Sequence, residues 1–320
     1  MRMSVAMCTY NGAHFVSEQL RSIALQARLP DELIVCDDGS TDETVSFLRA
    51  FADQSAFPVR IFFNEERLGP GKNFEKAISL CDGDIIVCSD QDDIWRPEKL
   101  AKLYETFDQN PDAVYAFSDA DMIEENGKPL GRTMWEAVGL RRNLNRFSGL
   151  DQLRLLLKHN VIAGASMAFR ASFKQVILPI PSGWMHDYWI VLLGSALSRG
   201  CPVSEQLFMY RRHSRQVCGL HKQSLGQAVR ESICTGQDAA LNKVKQFREI
   251  QRRVDVVCAV AQCPRDRLEL LRQKETHLLK RAALRSASGV ARAIGVLAEA
   301  STGRYQRFSN SWLSIARDLR

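Results

Sequence analysis

Gly83-Asp84-Ile85-Ile86-Val87-Cys88-Ser89-Asp90-Gln91-Asp92-Asp93 joins a short apolar run directly to a cluster of acids. The run reads as a strand over Asp84–Cys88, so the acids stand just beyond its carboxyl end. Runs of the same kind lie on either side, at Met3–Cys8, Glu32–Cys36, Val59–Phe63 and Ala113–Phe117. Segments of helical periodicity fall between them, at 14–27, 41–53, 71–81 and 97–109. Strand and helix alternate as in repeated βαβ units, which predicts an α/β fold on a mostly parallel central sheet. Ser40, followed three residues later by Glu43, predicts a capping box at the second helix.

Beyond residue 119 the pattern loosens. Gly127, Pro129, Gly131 and Gly139 punctuate 120–160, which reads mostly as loop with a helix near 149–158. Ala163–Arg170 then reads as a strand, Asp187–Ser198 as a helix and Gln206–His213 as a strand. From 221 onward Leu241, Val244, Phe247, Ile250 and Val254 recur at helical spacing with Lys and Arg between them. The expected organisation is a catalytic domain over 1–220 and a basic α-helical extension over 221–320.

Composition narrows the function classes. The chain has 320 residues, 45% hydrophobic and 25% charged, with 19 Gly and 10 Pro, which excludes disordered and collagen-like classes. No apolar run approaches the roughly 20 residues that a membrane-spanning helix needs. The net charge of +6 conceals a division: 1–220 carry 24 Lys+Arg against 28 Asp+Glu, or −4, and 221–320 carry 19 against 9, or +10. Nine cysteines sit mostly within apolar runs, without CxxC pairs or His at zinc spacing, and read as reduced core thiols. The N-terminus runs straight into a strand-like segment instead of a signal sequence, and both features favour the cytoplasm.

Ligands of open α/β sheets bind beyond the carboxyl ends of the strands. Those ends carry Thr9-Tyr10-Asn11-Gly12, Asp37-Asp38-Gly39-Ser40, Asn64-Glu65-Glu66-Arg67 and the acids Asp90, Asp92 and Asp93. Crowded carboxylates repel unless a cation neutralises them, and Mg²⁺ takes one or two carboxylates plus substrate phosphates. The plainer reading is an acidic turn ahead of the helix near Pro97. Asp38 could accept hydrogen bonds from a ribose or base, although Asp-Gly is also a common turn. Tyr10 offers a flat face for a nucleobase. Leu68-Gly69-Pro70-Gly71-Lys72-Asn73 precedes a helix, so Lys72 and backbone amides could approach phosphate; it lacks the Gly-Lys-Ser/Thr ending of a P-loop.

In order, Met7-Cys8-Thr9-Tyr10-Asn11-Gly12, Asp37-Asp38-Gly39-Ser40-Thr41-Asp42, Asn64 with Gly69 and Asn73-Phe74, and Gly83-Asp84-Ile85 leading to Asp90-Gln91-Asp92-Asp93-Ile94-Trp95 resemble the family-2 bacterial glycosyltransferases of the GT-A fold. The similarity is greatest to rhamnosyltransferase-like members and covers 3–219. It implies inverting transfer of a sugar from a nucleoside diphosphate donor, dTDP- or UDP-linked, to a hydroxyl of a cell-surface or lipid-linked saccharide. By this resemblance Thr9, Tyr10, Asn11, Asp38, Arg67, Lys72, Asn73 and Asp90 bind the donor, and Asp90 and Asp92 form the Asp-x-Asp pair. Asp92 or Asp93 holds Mg²⁺ or Mn²⁺. Asp187, in Trp184-Met185-His186-Asp187-Tyr188-Trp189, falls where the family has its catalytic base, with His-Asp in place of the frequent Glu-Asp. Its plainer role is a helix N-cap. Tyr210-Arg211-Arg212-His213-Ser214 resembles the segment that closes over the diphosphate, with Arg211 and Arg212 on phosphate, His213 on metal or phosphate, and 214–219 as a lid. Trp95, Asn160, Gly164, Ser166, His186 and Trp189 would line the sugar or acceptor pocket.

The +10 tail is expected at an anionic membrane surface, making the protein peripheral at the inner face of the cell membrane, with solvated helical faces as the plainer reading. Nucleic acid is not expected as a partner, because the cations are dispersed along amphipathic helices without a recognition motif. Two rival functions are a nucleotidyltransferase, which would want a basic, glycine-rich triphosphate loop, and a non-catalytic saccharide-binding subunit, which would not need the acids.

Overall fold

The computed structural model describes residues 1–140, 148–216 and 237–319. They fall into two compact units, one of 1–140, 161–194 and 198–216, the other of 148–160, 195–197 and 237–319.

The first unit begins β1 (Met3–Thr9), α1 (Val16–Ala24), β2 (Glu32–Asp37), α2 (Thr44–Gln54), β3 (Val59–Phe63), α3 (Pro70–Leu80), β4 (Ile85–Ser89), β5 (Ile94–Trp95) and α4 (Lys99–Gln109). It continues with β6 (Ala113–Glu124), β7 (Pro129–Thr133) and α5 (Met134–Val138); after α6 (Gly149–Leu156), which belongs to the second unit, come β8 (Met167–Arg170), α7 (Lys174–Ile177), α8 (His186–Leu197) and β9 (Arg199–Arg212). One sheet carries the strands in the order β3-β2-β1-β4-β8-β6-β9-β5, with β7 beside β6. β1, β2, β3, β4, β6 and β9 share one direction, and β5, β7 and β8 run against it. Every residue of β1, β2 and β4 is buried, as apolar runs demand between two helical layers. Thr9 pairs with Asp37 and Met7 with Ser89, so these strands end in line and deliver Tyr10, Asp38 and Asp90 to one rim.

Several expectations need correction. The 120–160 segment is not mostly loop. β6 runs to Glu124 and returns as β7 through a turn in which Gly127 adopts φ +84°, so Gly127 marks a hairpin, and Gly139, at φ +73°, caps the end of α5. The capping box forms at Thr133 and Glu136, not at Ser40 and Glu43. Ser40 Oγ instead donates to Asp37 at 2.6 Å, and α2 starts only at Thr44. The strand expected over 163–170 is confined to Met167–Arg170, because Gly164–Ser166 form a 3₁₀ turn. β9 begins earlier than expected, at Arg199.

The second unit holds the helices Gln237–Cys258, Arg265–Ser286, Gly289–Ser301, Arg304–Phe308 and Ser311–Asp318. It also takes 148–160 and 195–197, which the sequence reading assigned to the catalytic domain. Val244, Phe247, Ile250, Leu271, Val296 and Phe308 are buried there. Cys258 and Cys263, expected to be reduced, form a disulfide, since the turn between two helices brings their Cα atoms to 5.5 Å. Cys8, Cys36, Cys81, Cys88 and Cys201 are buried free thiols, and burial pushes Cys36 up to about 11 and Cys81 up to about 12. Cys218 and Cys234 lie outside the described residues. Among the described residues, no helix is long and apolar enough to cross a membrane.

Candidate functional site

β4 ends at Ser89, and the turn that follows is held by a side chain the sequence reading passed over. Gln91 accepts from Tyr10 N–H at 2.8 Å and donates to Tyr10 C=O at 3.0 Å, fastening the ends of β4 and β1 together. A Cβ at Gly12 would come within 2.2 Å of the Gln91 amide, so only glycine leaves it room. Asp92 then stands at the rim with its side chain 13% exposed, and His213, just beyond β9, places Nε2 2.7 Å from its carboxylate. Arg215 N–H donates to His213 Nδ1 at 3.2 Å, which puts the ring hydrogen on Nε2, facing Asp92.

Asp93, expected beside Asp92 as a ligand, turns inward. It is 1% exposed, accepts from Arg211 N–H at 3.1 Å, and burial with two neighbouring carboxylates drives its carboxyl well above the ordinary range. Asp92 and His213 are thus brought together and Asp93 is not. Among the described residues no group of three such side chains is arranged to hold a metal ion, so a cation here would draw its other ligands from substrate and water.

Asp90 lies between two chemistries. Withdrawal from water, then the carboxylates of Asp92 and Asp187, raise it to about 7, with Lys99 opposing. Lys99, absent from the sequence-based candidates, is fully buried beneath these acids. Its Nζ donates to Ala165 C=O at 2.6 Å and lies 4.2 Å from the Trp95 ring centre and 4.3 Å from that of Phe208. Burial lowers it to about 7, against the opposing pull of Asp93 and Asp90. A lysine in a helical pattern ordinarily reads as solvated; its only sequence signal is its place four residues after Trp95.

Ala165 belongs to the turn Gly164–Ser166, which abuts the start of α8. A Cβ at Gly164 would lie 2.5 Å from His186 Nε2 and 3.7 Å from the Asp187 Cβ. Asp187 is not the N-cap: α8 begins at His186 with Met185 as cap, and the Asp187 carboxylate sits in the first turn, 2.6 Å from Tyr188 N–H. His186 is 3% exposed, stacks on Phe74 with ring centres 3.6 Å apart, and neither ring nitrogen has a hydrogen-bond partner. Burial pushes it down to about 3, so it is uncharged.

On the other side of the rim, Asp38 organises a loop. It accepts from Leu68 N–H at 2.7 Å, Gly69 N–H at 2.9 Å and Asn64 at 2.9 Å. Arg67, 56% exposed, reaches within 4.0 Å of Asp38 and lies 3.8 Å above the Tyr10 ring. Thr9 donates to Asp37 at 2.7 Å, and Asn11, at φ +45°, accepts from Thr41 N–H. Asn73 is buried and bridges Cys36 C=O and Asn64, so it braces the loop from inside.

Other expected contacts do not converge. Lys72 is tied to Glu75 at 2.7 Å and Ile180 C=O at 2.6 Å. Arg211, proposed for phosphate, is 3% exposed and spends its guanidinium on Asp92 C=O, Glu125 C=O and Glu18, clamping β9 to the acid turn. Arg212 is half-buried and pairs in the sheet with Glu124. Trp95 and Trp189 are core residues, 3% and 0% exposed, with Trp189 Nε1 on Ile177 C=O. Ser166 is fully buried on Ala163 C=O, and Asn160 belongs to the second unit. The lid expected over 214–219 lies outside the described residues from 217 onward.

A family model described as glycosyl transferase family 2 matches residues 4–177. A Nostoc protein named as an uncharacterized glycosyltransferase is 26% identical over 219 residues, covering 67% of this chain and 65% of that one, slightly under two thirds of its length. The dTDP-rhamnosyl transferase RfbG of Shigella flexneri is 38% identical over 100 residues, 29% of this chain and 34% of that protein. Among solved structures, S. aureus TarS 1–349 with UDP-GlcNAc superposes with a TM-score of 0.57 at 17% identity, covering 88% of this chain and 72% of that one. The mannosyltransferase PcManGT from Pyrobaculum calidifontis, solved with GDP-Man and Mn²⁺, gives 0.55 at 18% identity, covering 99% and 85%. At such identities the likeness is one of fold.

Proposed function

The chain belongs to glycosyl transferase family 2, and from that premise we propose that it moves a sugar from a nucleoside diphosphate donor to a saccharide hydroxyl with inversion. It is a transferase of the GT-A fold. The observation that carries the reading is the convergence of Asp90, Asp92 and Asp187, from the end of β4 and the start of α8, closely enough for Asp92 and Asp187 to raise Asp90. One carboxylate at a diphosphate-side metal position and another at an acceptor-side base position are what inverting transfer requires.

On this reading the Tyr10 ring and the Arg67 guanidinium above it hold the base, and the Asp38-braced loop borders the ribose. Asp92 and His213 fit a divalent cation, Mg²⁺ or Mn²⁺, as an oxygen and a nitrogen donor side by side. When bound it would supply Lewis-acid stabilisation of the departing diphosphate. Asp187 takes the proton of the acceptor hydroxyl as that oxygen attacks the anomeric carbon and the bond to the diphosphate breaks. Uncharged His186, buried and stacked on Phe74 behind Gly164, would brace the start of α8 next to Asp187. The RfbG similarity supports rhamnose from a dTDP donor, with a UDP-sugar as the other choice, and a surface polysaccharide or lipid-linked saccharide as acceptor. The basic 221–320 region would hold the enzyme at the inner membrane face.

Asp187→Asn tests the assignment. Turnover should fall by about 10²–10⁴-fold with the donor dissociation constant nearly unchanged. An equal loss of donor affinity would move Asp187 to the donor side and overturn its role as base.

A further inference from the structure

A helix on the surface of a water-soluble unit turns its charges outward and its apolar residues inward; the helix Gly289–Ser301 does the reverse. Its buried positions are Val296 and Glu299, whereas Val290, Ile294 and Leu297, at the i, i+4, i+7 spacing of one face, are 76%, 63% and 64% exposed. Ala291 and Ala298 beside them are exposed as well, and every exposed residue of this helix is uncharged. Arg292 folds back onto the Ala287 carbonyl, with Nε at 3.0 Å and Nη2 at 2.8 Å. The helix Ser311–Asp318 packs against it and repeats the inversion, with Ser314 and Asp318 buried and Trp312 67% exposed. Contiguous exposed apolar surface of this kind marks an interaction site.

The charges nearby select the partner. Residues 276–319 hold seven Lys and Arg against two acids, Glu299 and Asp318. Both acids are buried and engaged, Glu299 by Arg304 at 2.8 and 2.6 Å and Asp318 by Arg281 at 2.5 and 3.0 Å. This stretch therefore exposes cations, Lys280 and Arg307 among them, and no carboxylate. A second copy of the chain would set like charges against each other around the apolar face. An anionic bilayer satisfies both halves, since its headgroups take the cations and its acyl boundary takes the apolar stripe. We propose that Val290, Ile294 and Leu297, with Trp312 of the neighbouring helix, form a face that docks on and partly enters an anionic lipid surface. The helix has 13 residues and is about 20 Å long, so it lies in the plane of the interface instead of crossing the bilayer. Indole suits the headgroup level, where one edge is wet and the rest apolar. This contact rests on the reading of the basic region as a membrane attachment and specifies which face enters the lipid.

The test uses the full chain and two variants, Ile294→Gln/Leu297→Gln, which leaves the net charge unchanged, and Trp312→Phe. Co-sedimentation with phosphatidylglycerol vesicles, beside phosphatidylcholine vesicles, measures binding. The native chain should bind phosphatidylglycerol, and the double variant should bind it about 10-fold more weakly or worse, because interfacial binding scales with buried apolar area. Phosphatidylglycerol brominated on its acyl chains should quench part of the native tryptophan fluorescence, and that part should vanish in Trp312→Phe; the other four tryptophans, Trp95, Trp135, Trp184 and Trp189, all lie in the first unit. Equal phosphatidylglycerol binding by the native chain and the double variant would overturn the proposed face while leaving attachment by charge alone. No vesicle binding by the native chain would remove both the face and the membrane reading. A concentration-dependent dimer that the double variant loses, without vesicle binding, would assign the face to a second copy instead. Circular dichroism and a thermal melt establish that both variants are folded.

Discussion

His213 Nε2 lies 2.7 Å from the Asp92 carboxylate, joining the residue just beyond β9 to the turn after β4. The two are 121 residues apart in the chain, yet Arg211, two positions before His213, clamps β9 to the same turn through Asp92 C=O. An acid and an imidazole held this way can exchange the hydrogen between them for a divalent cation.

Replacing either partner should therefore act on metal-dependent donor binding. His213→Ala and Asp92→Ala should each weaken nucleoside diphosphate binding in Mn²⁺ by about 10–100-fold, the scale seen when metal-site support is lost. Metal-free binding should change little. Calorimetry with and without Mn²⁺ checks this, and equal losses in both conditions would assign the pair a merely structural role.

Lys99 should matter to the reaction more than to the fold. Its Nζ holds Ala165 C=O, and the same turn packs Gly164 against His186 and Asp187. Lys99→Met keeps the apolar stem and, because Asp90 and Asp93 are both raised toward their neutral forms, strands little negative charge, but it releases the turn beside Asp187. Turnover should fall about 10-fold or more, since misplacing a catalytic group by about 1 Å can cost 10²-fold. Donor affinity should hold within about threefold. Steady-state kinetics beside a urea melt would separate this from general unfolding, and an unchanged rate would contradict it.

The apolar runs of β1, β2 and β4 are legible in the sequence because burial on both faces leaves them almost no polar residues, and their ends carry the rim acids. The pairing of β9 with β6 and β5 is not, since register between strands this distant depends on tertiary packing. The same limit explains why Arg211 is misread and Lys99 is missed. Arg211 looks like a phosphate ligand until Glu18 and Glu125, from other elements, absorb its donors. Lys99 looks solvated until Phe208 closes over it. His213 and Asp92 were each legible as candidates; their contact was not.

Protonation of His186 should couple to stability with a definite sign. Burial holds it at about 3 against an ordinary 6.5, so the unfolded chain binds the extra proton. Its neutral form thus contributes full stability above about pH 6.5, and that contribution is lost as pH falls toward 3, at up to about 1.4 kcal/mol per pH unit. Asp90, raised to about 7, opposes this trend in the native chain, so the comparison is with His186→Leu. Relative to native, the variant should gain stability between pH 7 and pH 4.5 in urea melts. A constant difference would mean that His186 titrates alike in both states.

The central claim is sugar transfer from a nucleoside diphosphate donor at the Asp92–His213 and Asp187 rim. Its most direct measurement is nucleoside diphosphate release from a panel of dTDP-, UDP- and GDP-sugars, with and without Mn²⁺ or Mg²⁺. The account predicts release from one donor class, dependent on the cation and abolished by Asp92→Ala. No release and no binding with any donor in either condition would contradict it.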